Sequence, residues 1–218
     1  MTTLLLASGS PRRRELLTLL GIPFEVAIPH VQEHAASGGD VKEIALQAAR
    51  MKAEAVAKTE EEKVVVAADT VVVLGRKVLG KPPDAVAAWA MLDALRGEEH
   101  QVVSGLAILD PISHVVTLQA VETQVWMRDY RDEDMASYIA RGEPFDKAGG
   151  YAIQDQEFHP VDRIEGCYTN VMGLPLCHLY LQLEGMGFPS LTPPLQACTG
   201  YTGRTCRVAA QILKQDDY

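Results

Sequence analysis

Three consecutive arginines stand where a helix is expected to begin, in the segment "LLLASGSPRRRELLTLLG". Ser10 suits the N-cap and Pro11 the first helical position, so the helix is predicted to start there. Cations in this first turn oppose the helix dipole by about 0.3 kcal/mol or more each. A short strand, a Ser-Gly-Ser turn and bare helical amides are also the parts of a phosphate-binding site. The segment indicates an anion site, with an arginine-rich surface turn as the alternative.

A second candidate is Asp69, in the middle of the apolar run "VVVAADTVVVL". An unbroken apolar run is typical of a strand that is buried on both faces. An unpaired carboxylate would cost several kcal/mol there, so Asp69 must be protonated, paired or bound to a cation. It is either a structural aspartate at a strand end or bulge, or a metal ligand or general base.

Several lysines occur in positions where they suit the same anion. On the helix predicted from "VKEIALQAARMKAEAVA", Lys52 shares a face with Ala45, Ala49 and Val56, so it is expected on the sheet-facing side. Lys81 lies between Gly80 and Pro82 in a loop that opens the next helix. In "EPFDKAGGYAIQ", Asp146 and Lys147 precede a Gly-Gly break whose backbone can approach a substrate closely. Each of these charges taken alone is more often a solvated surface group.

The segment "HVQEH", from His30 to His34, matches the HxxEH pattern of some zinc peptidases. That motif needs both histidines one turn apart on a helix. Pro29 precedes the segment and "AASGGD" follows it, so a stable helix is not expected and the zinc-peptidase interpretation is disfavoured. Glu33 on a loop can still serve a metal. The chain contains no GxxxxGK[ST] loop and no GxGxxG after a strand, which argues against P-loop and Rossmann enzymes.

The elements that must position these residues alternate between strands and helices, which predicts an α/β domain. The consecutive strands after residue 98 are expected to be antiparallel, so the sheet should be mixed. Strands are predicted near 3–7, 23–28, 63–74, 100–109 and 114–127, and helices near 11–20, 41–58, 84–95 and 131–141. After about residue 185 the chain becomes rich in Pro, Gly and Thr. Residues 1–185 are interpreted as one domain and residues 186–218 as an appendage to it. The appendage is either poorly packed or wraps around the domain.

The composition restricts the class of partner. A net charge of −9 over 218 residues argues against general affinity for nucleic acid or an anionic membrane. The apolar opening is too short for a signal peptide, and no apolar stretch approaches the length of a membrane span, so a cytoplasmic protein is expected. The four cysteines show no CxxC spacing. They indicate neither a structural zinc site nor a disulfide framework and are predicted to be free thiols.

Taken together, these motifs resemble the Maf family of nucleoside triphosphate pyrophosphatases. The resemblance rests on "ASGSPRRRELL", "AADTVV", "GKP", "DKAGGYAIQ" and "IEGCYTNVMGLPL", in that order, and covers residues 3 to about 184. It implies a mixed α/β fold like that of inosine triphosphatases, in which two lobes flank a cleft. A nucleoside triphosphate would be cut there between its α and β phosphates.

The resemblance also implies roles for individual residues. Asp69 matches the general base, and Glu33 looks like the acidic residue that joins Asp69 in handling a divalent metal, Mg²⁺ or Mn²⁺. The triphosphate-binding residues would be Ser8, Ser10, Arg13, Lys52 and Lys81. A homodimer is compatible with the resemblance.

The branch of the family that acts on dTTP and UTP is similar to this chain at three positions, Arg12, Thr70 and Gln154. The branch that prefers 7-methyl-GTP has an aromatic residue, Gln and Glu there. The neutral amide of Gln154 can pair with the donor and acceptor edge of uracil or thymine. The chain departs from the family at "DQEFHPVD" and at "GCY". The alternatives are a 7-methyl-GTP pyrophosphatase and a non-catalytic nucleotide-binding regulator of septum formation and cell division.

Overall fold

The computed structural model describes residues 3–31, 39–60 and 62–213, and in that part of the chain it contains seven strands and eight α-helices. The strands are β1 Thr3–Ala7, β2 Phe24–Ala27, β3 Lys63–Leu74, β4 Lys77–Leu79, β5 Glu99–Leu109, β6 Val116–Met127 and β7 Val161–Glu165. The helices are α1 Pro11–Thr18, α2 Val41–Ala57, α3 Ala85–Leu95, α4 Asp132–Ala140, α5 Tyr168–Met172, α6 Leu176–Gly185, α7 Pro194–Thr202 and α8 Ala209–Leu213. Two 3₁₀ turns, Glu143–Asp146 and Ala148–Gly150, follow α4.

All seven strands form one mixed sheet, in the order β2-β1-β3-β5-β6-β7, with β4 paired to β3. Strand β1 pairs in parallel with β2 and with β3, whereas β3, β5, β6 and β7 pair antiparallel in succession. The predicted mixed sheet with flanking helices is therefore confirmed, and so is the antiparallel pairing after residue 98.

Alternate residues of β1 and β3 point to opposite faces of the sheet, as strand geometry requires. Leu4, Leu6, Val64 and Val66 join the large core that also contains α1, α3, α4 and α6. Leu5 and Val65 face the other way, against Ala49 and Ala53 of α2. Because both faces are covered, these strands are apolar without alternation, which explains their sequence pattern.

Helix α2 lies unusually close to the sheet at Gly105 of β5. A Cβ atom at that position would lie 2.3 Å from the carbonyl oxygen of Ala45 and 2.7 Å from the amide nitrogen of Leu46. Gly105 is paired in register with Asp69 of β3. The missing side chain at Gly105 therefore allows the backbone of α2 to rest on the sheet directly beside Asp69.

Strand β3 continues well past the end of β1. The pairing of β1 with β3 reaches Val66, and the pairing of β4 with β3 begins only at Val72. Among the described strands, none pairs with residues 67–71 of β3 along this edge, and the loop that leaves β1 turns away here. The resulting gap opens the sheet beside Asp69 and Thr70, where sequence analysis places site residues.

Strand β7 was not predicted, and its position explains why. It is an edge strand whose Asp162, Arg163 and Glu165 are exposed or only partly covered, so it lacks an apolar run. Helix α1 ends at Thr18, two residues before its predicted end, and Gly21 follows with a positive φ of 68°. In the described part of the chain, no helix is long and apolar enough to cross a membrane.

The C-terminal segment carries two helices and lies against the domain. The amide of Leu191 donates to the carbonyl oxygen of Leu20 at 3.0 Å, and the hydroxyl of Ser190 donates to the same oxygen at 3.1 Å. Tyr201 of α7 packs against the large hydrophobic core. The described part of this segment therefore contacts the turn after α1 and the large core.

Candidate active site

The loop between β1 and α1 is held in place by its two serines. The amide of Ser10 donates to Oγ of Ser8 at 3.1 Å, and Oγ of Ser10 caps α1 by accepting the amide of Arg13. The amide of Ser8 donates to the carbonyl oxygen of Ala27 at the end of β2. Both serines line the cavity that also contains Asp69 and Thr70.

Arg13 reaches from the first turn of α1 to two other parts of the fold. Its Nε donates to the carbonyl oxygen of Gly173 at 2.9 Å, and its Nη2 donates to Oγ1 of Thr70 at 3.2 Å. Oγ1 of Thr70 also lies 2.9 Å from Oγ of Ser104, which donates to the carbonyl oxygen of Asn170. These contacts fix the guanidinium at the cavity wall despite the unfavourable helix dipole.

Arg12 bridges the cavity to the turn that follows α4. Its Nη1 lies 2.7 Å from Oδ2 of Asp146, and the ammonium of Lys147 lies 2.7 Å from the other carboxylate oxygen of Asp146. Partial burial alone would raise the pKa of Asp146, but the hydrogen bonds from Lys147 and Arg12 outweigh it and hold that pKa below its usual value. Lys147 is only 7% exposed, so this ion-pair network is a buried structural element of the cavity wall.

Asp69 and Lys52 form an ion pair across the face of the sheet that α2 covers. Nζ of Lys52 lies 2.5 Å from Oδ1 of Asp69, and the two side chains are 9% and 19% exposed. Lys52 is on the sheet-facing side of α2, as its spacing predicted. Because the carboxylate of Asp69 sits on a buried strand, this pairing offsets the cost of burying it. Asp69 is thus paired, one of the three states that the sequence allowed.

The remaining predicted residues lie around the same space, with one exception. Lys81 follows β4 and lines the cavity, next to Gly80, whose carbonyl oxygen accepts the amide of Gly149. Gln154 follows Ile153 in the wall, and Asp155 orders the loop after it by accepting the amide of Phe158 at 2.7 Å. Glu33, with His34 of the HVQEH segment, lies outside the described residues.

These side chains enclose one cavity of about 720 Å³. It is lined by five cationic side chains, against the two carboxylates of Asp69 and Asp146, in the described part of the chain. The cations are Arg12, Arg13, Lys52, Lys81 and Lys147. A positive excess inside a chain whose net charge is −9 favours a small polyanion as the ligand.

Whether the cavity suits a divalent metal depends on Asp69. The described residues contain no group of three or more His, Cys, Asp or Glu side chains that could hold a metal by themselves. Mg²⁺ and ions like it bind through one or two carboxylates and complete their coordination with substrate phosphates and water. A cavity-facing carboxylate within a cation-lined wall suits that mode, so the donor set fits a metal that arrives with a phosphorylated substrate.

Two residues of the site have no specific role that the sequence alone indicates. In the sequence, Asp146 and Lys147 stand out only as neighbours of a Gly-Gly break. Both line the cavity, where Asp146 accepts a hydrogen bond from Arg12 and Lys147 donates one to Asp146. Thr70 was assigned to base specificity, and the structure places its hydroxyl against Arg13. The run "DKAGG" is the sequence signal for Asp146 and Lys147. Nothing in the sequence indicates that Asp146 pairs with Arg12.

The mixed sheet, the capped loop after β1 and the cavity define an α/β protein with a cation-lined cleft. Comparison with known families matches residues 3–186 to the Maf-like protein model. The chain therefore belongs to the Maf family.

Individual relatives are similar over most of the chain. A protein of Geotalea uraniireducens named dTTP/UTP pyrophosphatase is 45% identical, over 85% of this chain and 96% of its own length. A protein of the same name from Thermomicrobium roseum is 48% identical, over 88% of this chain and 87% of its own. Among solved structures, the Ham1 protein of Staphylococcus aureus has a TM-score of 0.42 and 17% identity, covering 59% of this chain and 73% of that one.

Proposed function

We propose that this chain is a nucleoside triphosphate pyrophosphatase that hydrolyses dTTP and UTP to the nucleoside monophosphate and pyrophosphate. The observation that carries this proposal is the cavity in which cations surround the carboxylate of Asp69 inside an acidic protein. Membership of the Maf family and the shared name of the relatives, dTTP/UTP pyrophosphatase, support the same activity.

In the proposed reaction, the cationic side chains of Arg13, Lys52 and Lys81 bind the triphosphate and stabilise the leaving pyrophosphate. Arg13 is held by Gly173 and Thr70, so its guanidinium is oriented before substrate arrives. The loop from Ser8 to Ser10 adds amide and hydroxyl donors, and Lys52 and Lys81 add charge. Preorganised donors aimed at a leaving group whose charge increases lower the barrier more than they tighten ground-state binding.

Asp69 would orient or deprotonate the water that attacks the α phosphorus. Its contact with Lys52 holds the carboxylate in one position beside the gap in the sheet. A divalent metal bound by Asp69, and by Glu33 as the resemblance implies, would neutralise phosphate charge and polarise the phosphoryl group.

The experiment that tests the proposal is pyrophosphate release by the purified chain with Mg²⁺, across dTTP, UTP, CTP, dATP, GTP and 7-methyl-GTP. Preference for dTTP and UTP is the expected result. Turnover of 7-methyl-GTP alone would preserve the reaction but overturn the substrate assignment. Nucleotide binding without turnover of any substrate would instead favour the regulator interpretation.

Replacing Arg13 by lysine is expected to lower the catalytic activity strongly. An Arg13→Lys chain retains the charge but cannot make both the Gly173 and Thr70 contacts with a planar fork. We expect kcat/KM for dTTP to fall about 10-fold to 100-fold, which corresponds to losing one charge-assisted hydrogen bond. The matched control is Arg14→Lys on the exposed side of the same helix, where activity should stay within about twofold. Equal losses in both variants would contradict the assignment of Arg13.

Gln154 is proposed to read the base from the cavity wall. A Gln154→Glu chain loses the amide donor, so it can no longer pair with both a donor and an acceptor of a pyrimidine. The ratio of kcat/KM for dTTP to that for 7-methyl-GTP is expected to fall at least about 10-fold. Gln156→Glu, an exposed position two residues later, serves as the control. An unchanged ratio in Gln154→Glu would remove this residue from the specificity set.

Several finer assignments belong to the same proposal. Arg12 and Thr70 would complete the base-specificity set with Gln154, and the metal would be Mg²⁺ or Mn²⁺. We propose that residues 1–185 form the catalytic domain, with residues 186–218 appended to it, and that the protein acts on free nucleotides in the cytoplasm without binding nucleic acid. A homodimer is the assembly that the resemblance supports.

A further inference from the structure

Four cysteines from the last quarter of the chain come together where α6 meets the C-terminal segment. Cys167 caps α5, Cys177 lies in α6, Cys198 lies in α7, and Cys206 lies between α7 and α8. We call these four residues the tail thiol cluster. Helix α6 packs against both α7 and α8, which brings the two cysteines of the domain to the two cysteines of the appended segment. All four thiols are free.

Two contacts place Cys206 next to Cys167 in particular. The guanidinium of Arg204 lies 5.2 Å from the centre of the Tyr168 ring. On the other side of Cys206, Val208 shares the wall of a cavity of about 230 Å³ with Cys167. The residues that flank Cys206 therefore lie beside Cys167 and Tyr168, at the boundary between the domain and the appended segment.

The electrostatics of the cluster agree with this placement. Burial, and then the neighbouring thiols, raises the pKa of Cys177 to about 12 and that of Cys198 to about 11. Burial also raises the pKa of Cys167, and Cys206 is the thiol that adds to the rise. Taken together, these interactions link every pair within the tail thiol cluster.

Exposure distinguishes one thiol from the others. Cys167, Cys177 and Cys198 are 5%, 4% and 7% exposed, whereas Cys206 is only partly covered. A small oxidant in solvent therefore meets Cys206 first, and the buried neighbour is positioned to react second. Accessible thiols beside a second, resolving cysteine are the arrangement in which reversible disulfides form.

We propose that Cys206 and Cys167 are a peroxide-sensitive pair whose disulfide ties the C-terminal segment to the catalytic domain. The thiolate of Cys206 attacks hydrogen peroxide, which leaves a sulfenic acid on Cys206 and releases water once the departing hydroxide is protonated. The sulfur of Cys167, losing its proton, then attacks the sulfur of Cys206 and expels a second water. Two thiols and one peroxide give one disulfide and two waters, and a dithiol reductant reverses the change.

The consequence reaches the phosphate-binding helix. The C-terminal segment is bonded to the turn after α1, where the amide of Leu191 donates to Leu20, and Tyr201 packs against the core to which α1 contributes. Helix α1 carries Arg13 at its other end. Fastening the segment to α5 through Cys167 would restrict Gly173, which ends α5 and accepts the hydrogen bond from Nε of Arg13. The pair thus links the redox state to the rigidity of the site, and it can be tested without any enzyme assay.

The test uses the full chain, reduced, freed of reductant and then treated with hydrogen peroxide. Trypsin without reductant is expected to yield residues 205–207 joined to residues 164–204, which contain the other three cysteines. Chymotrypsin cleavage after Tyr168 then separates Cys167 from Cys177 and identifies the partner by mass. The thermal midpoint of the oxidised chain is expected to rise by roughly 5 °C, since the bond closes a long loop.

Matched variants make the outcome decisive. Cys206→Ser, at the partly exposed position, should abolish both the linked peptide and the shift in thermal midpoint. Cys177→Ser should form the same linked peptide as the natural sequence. Four free thiols after peroxide, a bond to Cys177 or Cys198 instead, or thiols protected by a bound metal in the purified chain would each overturn the proposal.

Discussion

Replacing Asp69 by asparagine is expected to lower the rate of pyrophosphate release from dTTP by at least about 100-fold. Asparagine has nearly the same shape but cannot take a proton from water, and it is a much weaker ligand for a divalent cation. The side chain lies on β3 beside the gap in the sheet, within the cation-lined cavity. Its loss should therefore affect the chemical step more than nucleotide binding.

The measurement is steady-state kinetics on dTTP together with nucleotide binding by calorimetry. Binding of dTTP to Asp69→Asn should be retained, because Arg13 and Lys81 remain in place in the cavity wall. Asp162→Asn, which removes an exposed carboxylate from the edge strand β7, is the matched control and should leave turnover unchanged. Full turnover by Asp69→Asn would remove Asp69 from the reaction.

The sequence allows much of this site to be predicted, because its central residues are of types that are unfavourable at their positions in a helix or a strand. Arg13 opposes a helix dipole, and Asp69 interrupts an apolar strand, so each needs a partner that local structure does not supply. The helix period likewise placed Lys52 on the buried side of α2, where the structure has it. Such an unfavourable placement can be recognised from the sequence of a single helix or strand.

The partners themselves could not be read from the sequence, because they depend on register and on long-range packing. Arg13 bonds to Gly173, 160 residues away, and Arg12 meets Asp146 across the cavity. The gap in the sheet exists only because β3 runs past the end of β1, which no local pattern specifies. The tail thiol cluster is a further case, since its four members lack any spacing that predicts contact.

The packing role of Gly105, which has no side chain, could not be predicted from the sequence either. Nothing in the strand pattern singled it out, yet a Cβ there would collide with the backbone of α2 at Ala45. A Gly105→Ala chain is expected to lose about 2 kcal/mol or more of its free energy of unfolding, because backbone must move to admit the methyl group. Chemical denaturation of the purified chain measures this loss.

The same substitution should also reduce activity, because α2 carries Lys52 to Asp69 and Gly105 is paired directly with Asp69. A helix displaced by a few tenths of an ångström or more separates the two charges, and misplacement on that scale lowers kcat by about tenfold or more. Gly185→Ala, in α6, meets no atom within 4 Å and is the matched control. It should change the free energy of unfolding by less than about 1 kcal/mol and leave kcat intact. A Gly105→Ala chain that is destabilised yet fully active would show that the close approach of α2 supports the fold without positioning Lys52. Parallel losses of stability and of kcat would show that one backbone contact serves both.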